Sequence, residues 1–531
     1  MKGQVVKHSV PEGAMFWQNG LERRPTRKLV VRRNGQACKE RTYHVVSRMG
    51  CTHDLGVFNN SVESVERALL ERYFLVKDGD KYLPPLKTVR RDWEAEYLRE
   101  FREYVVREVK TRATVITLQE VVECYSGAKR KLYENALRSL QRINLHRKDA
   151  GLRPFTKFEK QCLLKAARII NPRSPRYNLT LGKYLKKAEK LYFAAINEVW
   201  GSVTNHTVIK GMNVFESAAV LRKKWCRFRN PVGLGLDATK FDMHVSVEAL
   251  RYEHSHYNDV FCSEELRRLL SWQLNNGGTA YCPDGEVEFT MPGTRASGDL
   301  NTSLGNCIIM CALLWALCKE LRVTAELANN GDDCVLIMES SDLAVVLAAV
   351  PGFFERYGFR MTVEEPVYEF EQVEFCQSRP VELPGGWCMV RNVRTCLKKD
   401  PICLVPIQND KVWRKWLGAV GECGLASVPG CPVLQSFYSA FVRSGTRAGG
   451  RFKSAIFRNT GTMERQTGLE AKVKEITPEA RASFAAAFGI TPDYQIALEE
   501  YYDGFQIQGI ERHDIQDGIV EVNPPAFIRH L

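Results

Sequence analysis

The chain has 531 residues and a mass of 60.5 kDa, enough for about three domains. Its 44% hydrophobic content supplies large cores, and a net charge of +13 with a pI near 8.9 points to a polyanionic partner, although a merely basic soluble protein has the same balance. Seventeen cysteines without a Cys-x-x-Cys pair argue against a zinc site or disulfide framework and for a reducing compartment; no run of 18 or more apolar residues predicts a membrane span, and Met1-Lys-Gly-Gln-Val-Val-Lys-His8 lacks a signal-peptide core.

The first 50 or so residues are basic, with Arg23-Arg24, Arg27-Lys28 and Arg32-Arg33. They read either as a solvated arm or as a segment that contacts RNA or a partner. Asn60-Ser-Val-Glu63 has the form of a capping box and predicts a helix from Ser61 to Phe74. Pro84-Pro85 interrupts the chain before an amphipathic run from Asp92 to Lys110.

From Ala128 to Lys190 basic residues outnumber acidic ones. Tyr133, Phe155, Phe158, Tyr177 and Tyr184 are interleaved among them. Cationic grooves with aromatic platforms suit single-stranded nucleic acid. Ile170-Asn-Pro-Arg-Ser-Pro-Arg-Tyr-Asn178 holds two prolines and two arginines, which predicts a stiffened, exposed cationic finger.

Val232 to Leu236 alternates apolar residues with glycine and reads as a strand that delivers Asp237 at its end. Ser297-Gly298-x3-Thr302-x3-Asn306 follows. Its spacings of four put Thr302 and Asn306 on one face of a starting helix, where short polar side chains can reach a ribose, though Ser297 or Thr302 could equally be a plain N-cap. A mostly apolar helix is predicted from Asn306 to Leu321, with Cys307, Cys311 and Cys318 as small buried hydrophobes. Leu327 to Met338 then reads as two strands about the turn Gly331-Asp332-Asp333. Thr477-Pro478 and Thr491-Pro492 each open a helix in a mostly helical C-terminal part. Strands alternating with helices make the coarse fold class α/β.

Asp237 at a strand end and Asp332 at a hairpin turn bring carboxylates together. Oxygen ligands of this kind hold Mg²⁺, alone or with Mn²⁺ as a substitute. Two such ions suit phosphoryl transfer. Asp242, five residues after Asp237, could join Thr302 and Asn306 in reading a ribose 2′-hydroxyl.

In order and spacing, Asp237-x4-Asp242, Ser297-Gly-x3-Thr-x3-Asn306 and Gly331-Asp-Asp333 resemble motifs A, B and C of a viral RNA-directed RNA polymerase. Glu374-Phe-Cys-Gln-Ser378 resembles motif E. Lys165-Ala-Ala-Arg168 through Arg173 and Arg176 to Leu181-Gly182 resembles motif F of the tombusvirus-like group (Tombusviridae), a plant-virus family. Phe241-Asp-x-His-Val-Ser246 and Gly50-Cys-Thr-His-Asp-Leu-Gly-Val-Phe-Asn-Asn60 are similar to strings of that group.

The resemblance implies a right-hand polymerase with an α+β palm, which replicates a positive-strand RNA genome. Residues 1–110 would be a basic extension and helical region, 111–230 the fingers, 231–380 the palm with a fingers insertion at 256–290, and 381–531 a helical thumb. Asp237, Asp332 and Asp333 would hold the metals. Asp242, Thr302 and Asn306 would read the ribose, with Ser297 and Gly298 forming the motif B loop. Lys165, Arg168, Arg173 and Arg176 would neutralise the triphosphate, and Phe375 and Cys376 would support the primer end. The partners implied are template and nascent RNA, nucleoside triphosphates, and a membrane-anchored viral auxiliary protein that brings the chain to membrane-associated sites in the host cytoplasm. One departure stands out: no lysine lies between Ser340 and Pro380, where such enzymes carry a general acid, and Arg356 and Arg360 are poor proton donors. A non-catalytic RNA-binding factor and a reverse transcriptase are the competing readings.

Overall fold

The computed structural model describes residues 4–7, 28–51, 54–79, 81–83, 85, 93–457, 466–518, 525–529 and 531. Arg23, Arg24, Arg27, Thr52, His53, Pro84 and Asp92, all named above, lie outside the described residues.

The helix Thr302–Leu321 forms the axis of the molecule. It is apolar on every side and therefore buried on every side, with each residue from Leu304 to Cys318 in the interior. It starts at Thr302, four residues before the predicted Asn306. Helices Glu96–Lys110, Glu189–Trp200, Val247–Phe261 and Leu343–Arg356 pack around it. It is the one described helix long and apolar enough to cross a membrane, with mean hydropathy 1.6, but 83% of that window is buried by protein. Cys307, Cys311 and Cys318 pack in this core, as their spacing predicts.

Beside the helix lies a four-stranded antiparallel sheet in the order Ala325–Asn330, Asp333–Glu339, Pro231–Ala238, Met361–Val363. Successive side chains of a strand point to opposite faces. Leu327, Leu336, Met338, Val232, Leu234 and Leu236 accordingly enter the core of the axial helix. Ala328, Val335 and Ile337 enter a second core shared with Val214–Trp225 and the C-terminal helices. The sheet thus separates two apolar cores and leaves its loop end free for polar groups. All its pairings are antiparallel, so the fold is α+β in this region.

Two further sheets join distant parts of the chain. Gln4–Lys7, Lys28–Arg33, Gly285–Pro292 and Asn275–Cys282 form one. Within the described residues the basic run is a strand with charges matched across the sheet. Arg32 meets Glu286 and Glu288 at 2.8 Å each, and Lys28 meets Glu288 at 3.3 Å. In the other, Thr42–Val45 lies between Ile402–Cys403 and Glu511–Asp514.

The predicted helix at Ser61 is present as Val62–Leu69, continued by a wider turn over Leu70–Phe74. Its cap is Ser61, whose hydroxyl accepts from the Ser64 N–H. Asn60 instead accepts from the Thr156 N–H at 2.8 Å, so the capping box is absent. The amphipathic run folds as Glu96–Lys110. Pro478–Phe488 and Pro492–Gly504 start where the Thr-Pro pairs predict, but the region also contains the hairpin Ser378–Leu383/Gly386–Arg391. Among the interleaved aromatics, Tyr133, Tyr177 and Tyr184 are buried and cannot stack on bases; Phe155 and Phe158 are exposed.

Candidate active site

The register of the central sheet builds the site. Asp237 on Pro231–Ala238 is paired across the ladder with Asp333, the first residue of Asp333–Glu339. Asp332 sits in the turn between the hairpin strands, next to Gly331, whose φ of +75° suits a residue without a Cβ. Asp237 and Asp332 are open to solvent, while Asp242 and Asp333 are half-buried.

Enclosure by protein raises the pKa of Asp237, and the Asp332 charge adds to it. Enclosure also raises that of Asp332. Burial pushes Asp333 up to about 6 against the bonds it accepts from Cys376, and Asp332 and Glu364 push the same way. Burial and the Asp332 charge likewise lift Asp242 to about 6, opposed by Arg295, Asn306 and Arg168. Crowded carboxylates with raised pKa values favour a bound cation, so the donor set fits a divalent ion held by oxygen ligands. Among the described residues no group of three His, Cys, Asp or Glu side chains is placed to hold a metal ion. An open arrangement suits Mg²⁺, which keeps waters and takes substrate phosphates as ligands.

Asp333 has a second task. Its Oδ2 accepts from the Cys376 N–H at 2.9 Å. Cys376 and Gln377 have φ of 52° and 59°, a left-handed pair that closes a tight hairpin between Phe375 and Ser378. Asn330 Nδ2 donates to Cys376 Sγ at 3.2 Å. These bonds hold a turn that non-glycine residues disfavour. Phe375 is buried in the second core and Cys376 packs beside it, as expected of a packing cysteine.

The motif B string lies against the loop after Arg168. Ser297 Oγ donates to Ile169 C=O at 3.2 Å and accepts from the Asn171 N–H at 3.3 Å. A Cβ on Gly298 would stand 2.6 Å from Asn171 O, so glycine is needed for this approach. Thr302 donates its hydroxyl proton to Ala296 C=O at 2.6 Å, which leaves its oxygen only as an acceptor. Asn306 Nδ2 donates to Asp242 Oδ1 at 3.3 Å, so these two expected ribose readers do meet.

The cationic finger is not exposed, which corrects the sequence reading. Arg173 and Asp299 side chains are 1% and 3% exposed and pair at 2.5 Å. Arg173 also donates to Asn276 Oδ1 and Ala150 C=O, each at 2.6 Å. Arg176 is spent on Asp149, Ser139 and the carbonyls of Ile143 and Asn144. Pro175 begins the helix Pro175–Leu185 capped by Ser174, so it starts an element instead of stiffening a free loop. Both arginines fasten the 170–178 segment to neighbouring parts of the chain. Lys165 and Arg168 remain exposed. Arg168 pairs with Glu159 at 3.2 Å, and its charge is felt by Asp242 and Asp332.

Several residues at the site carried no sequence signal. Lys210, placed by the pairing of Ile209 with Asn329, lowers the pKa of Asp332. Arg72 holds the carbonyls of Ala166 and Ala167 at 2.5 and 2.8 Å, just before Arg168. Arg295 bonds to Asn306 and pairs with Glu253 in the interior.

The family described as viral RNA dependent RNA polymerase matches residues 29–509. This chain belongs to that family. The RNA-directed RNA polymerase of Tobacco necrosis virus (strain A) is 39% identical over 485 residues, covering 90% of this chain and 66% of the relative. That of Turnip crinkle virus is 40% identical over 475 residues, 88% and 60% of the two chains. That of Cymbidium ringspot virus is 39% identical over 520 residues, 96% and 61%. All three viruses are members of the Tombusviridae, the group the flanking strings resemble. The chain spans 60 to 66% of the length of these relatives.

Arg173→Ala should cost about 3–5 kcal/mol in denaturant unfolding, because it strands Asp299 in the interior. Arg173→Lys should recover only part of this, since lysine lacks the planar fork. An Arg173→Ala protein of unchanged stability whose only defect is a raised KM for nucleotide would instead return Arg173 to the triphosphate.

Asp242 provides a pH test. Its folded pKa of about 6 lies above the ordinary 3.8, so the folded state holds the proton more tightly. The stability from that proton is full below pH about 4 and lost as pH rises through about 6. With metal chelated, Asp242→Asn should therefore stabilise the protein by about 1–3 kcal/mol near pH 8, and the gain should vanish near pH 4. A gain independent of pH in thermal melts would mean that Asp242 is not charge-strained.

Proposed function

We propose that the chain is an RNA-directed RNA polymerase that replicates a positive-strand RNA genome by two-metal nucleotidyl transfer. The observation that carries this is the register pairing Asp237 with Asp333, with Asp332 in the adjoining turn and the Asp242–Asn306 contact alongside. An RNA-binding factor has no need of carboxylates crowded in a cationic protein.

Bound Mg²⁺, or Mn²⁺ in its place, would supply polarisation of the primer 3′-hydroxyl and neutralisation of the departing pyrophosphate. Asp237 and Asp332 are the principal holders, being open to the cleft. Asp333 is engaged by the bonds it accepts from Cys376, so its part in holding the ions is the lesser one. Asn306 and Asp242 offer a donor and an acceptor to a 2′-hydroxyl. Arg168 and Lys165 face the triphosphate, with Lys210 near Asp332 as a further cation. The Phe375–Ser378 turn supports the primer end. No residue of the chain is assigned as general acid.

The right-hand reading gives the antiparallel sheet and axial helix to the palm, residues 111–230 with the 256–290 insertion to the fingers, and 381–531 to the thumb. Residues 28–45 add strands to sheets of both the insertion and the C-terminal part, so the N-terminal region serves fingers and thumb together. A membrane-anchored viral auxiliary protein and a place at membrane-associated sites in the host cytoplasm remain part of the proposal, on the resemblance alone.

On a short RNA template with Mg²⁺, the purified chain should incorporate labelled UTP and reject dTTP. Efficient use of dTTP would favour a reverse transcriptase, and RNA binding without synthesis would favour the non-catalytic reading. Asp332→Asn keeps the side-chain shape and removes its charge. Synthesis should fall by about three orders of magnitude or more while RNA affinity holds. Near-normal synthesis by this variant would remove Asp332 from the metal site.

A further inference from the structure

Arg295 and Glu253 form an ion pair, Nη2 to Oε2 at 2.5 Å, in which both side chains are 0% exposed. Arg295 makes two more bonds. Its backbone N–H donates to Asp242 C=O at 2.9 Å, and its Nε–H donates to Asn306 Oδ1 at 2.8 Å. One residue therefore grips both members of the ribose-facing pair.

We propose that Arg295 is a positioning residue for ribose selection, which fixes the amide of Asn306 and the backbone of Asp242 so that the two meet a 2′-hydroxyl with one donor and one acceptor. This rests on the polymerase reading above.

The argument starts from what a guanidinium can do. Its nitrogens only donate, so the Asn306 atom facing Nε must be the amide oxygen. The NH₂ group is then turned to Asp242, where one hydrogen goes to Oδ1 and the other is left for a hydroxyl oxygen. A flipped amide would set its oxygen against a carboxylate and its NH₂ against a guanidinium, two repulsive contacts. The Arg295 charge also favours the ionised, accepting form of Asp242.

Glu253 keeps Arg295 in place. Besides the ion pair, its Oε1 accepts from Asn301 Nδ2 and the Tyr257 hydroxyl, each at 2.8 Å. Asn301 stands at the N-terminal boundary of the axial helix, so the same carboxylate ties the start of that helix to Val247–Phe261. Space is reserved for the pair at Gly305. A Cβ there would stand 2.2 Å from Glu253 Oε1 and 2.5 Å from Arg295 Nη2. A buried pair retained only to join helices could be replaced by neutral groups of similar shape without loss of specificity. A positioning pair could not.

Arg295→Met alone strands the Glu253 charge and risks misfolding, so the test uses Arg295→Met with Glu253→Gln, which removes both charges. Arg295→Lys is the second variant, since it keeps the charge but offers one nitrogen to two acceptors. Incorporation of UTP and dUTP on the same RNA template is measured for each, with Tm and RNA affinity alongside. The UTP/dUTP ratio should fall by about tenfold or more in folded variants while RNA affinity is unchanged. Adding Asn306→Ala to the double variant should lower the ratio no further, because Arg295 acts through Asn306. If Asn306→Ala alone lowers the ratio and the folded Arg295 variants do not, Arg295 is structural and the proposal falls by itself. If Asn306→Ala also leaves the ratio intact, the ribose assignment fails and takes the proposal with it.

Discussion

Like charge held at close quarters is the constraint on which the molecule turns. Asp237 and Asp333 face each other across a strand ladder, Asp332 is in the adjoining turn, and Asp242 stands five residues beyond Asp237. In a partly enclosed cleft such carboxylates repel far more than they would in bulk water. They stay together because the sheet beneath them has no freedom to spread. Leu234, Leu236 and Leu336 anchor one face in the core of the axial helix, and Val335 and Ile337 anchor the other. The apolar cores supply the stability that offsets the repulsion at the charged end of the sheet.

Several cations in the interior around this cluster are engaged elsewhere. Arg173 is matched to Asp299, Arg295 to Glu253, and farther back Lys224 and Arg227 to Glu326. None of these pairs is local in sequence. Each fastens segments tens of residues apart, and each buries charge at a desolvation cost that a hydrophobic pair would avoid. What they provide is direction. Arg173 sets the motif B loop against the wall of the cleft, and Glu253 sets the start of the axial helix. Side chains that must meet a substrate within a fraction of an ångström need supports of this kind.

A third layer of constraint closes the molecule. Thr42–Val45 lies between a strand of residues 402–403 and one of residues 511–514. Close by, Tyr501 and Tyr502 donate their hydroxyls to the carbonyls of Arg48 and Met49 at 2.6 and 2.8 Å. Lys160 reaches Lys399 C=O at 2.6 Å from the wall that carries Arg168. The N-terminal strand region and the C-terminal part are therefore joined by main-chain and side-chain bonds of very long sequence separation. Such contacts form late and slowly in folding.

Much of this was legible from residue order. Asp237, Asp242, Asn306 and Asp332 are recognisable because their spacing is dictated by local geometry: a strand end, a helix face, and a glycine-bearing turn. The axial helix and the Thr-Pro helix starts follow from equally local rules. The errors arose where function was read from composition. Arg173, Arg176, Tyr133, Tyr177 and Tyr184 look like a surface for RNA in a linear string, yet the structure buries or pairs them. Their partners, Asp299, Asp149 and Glu265, come from elsewhere in the chain, and no local pattern announces them. Arg295, Glu253 and Lys210 escaped notice for the same reason. By itself the sequence determined where Asp237, Asp242, Asn306 and Asp332 stand on their local elements, because short-range backbone geometry places them. Only the tertiary structure decided which charges face the cleft and which are neutralised inside, because burial and pairing depend on what the rest of the chain brings into contact.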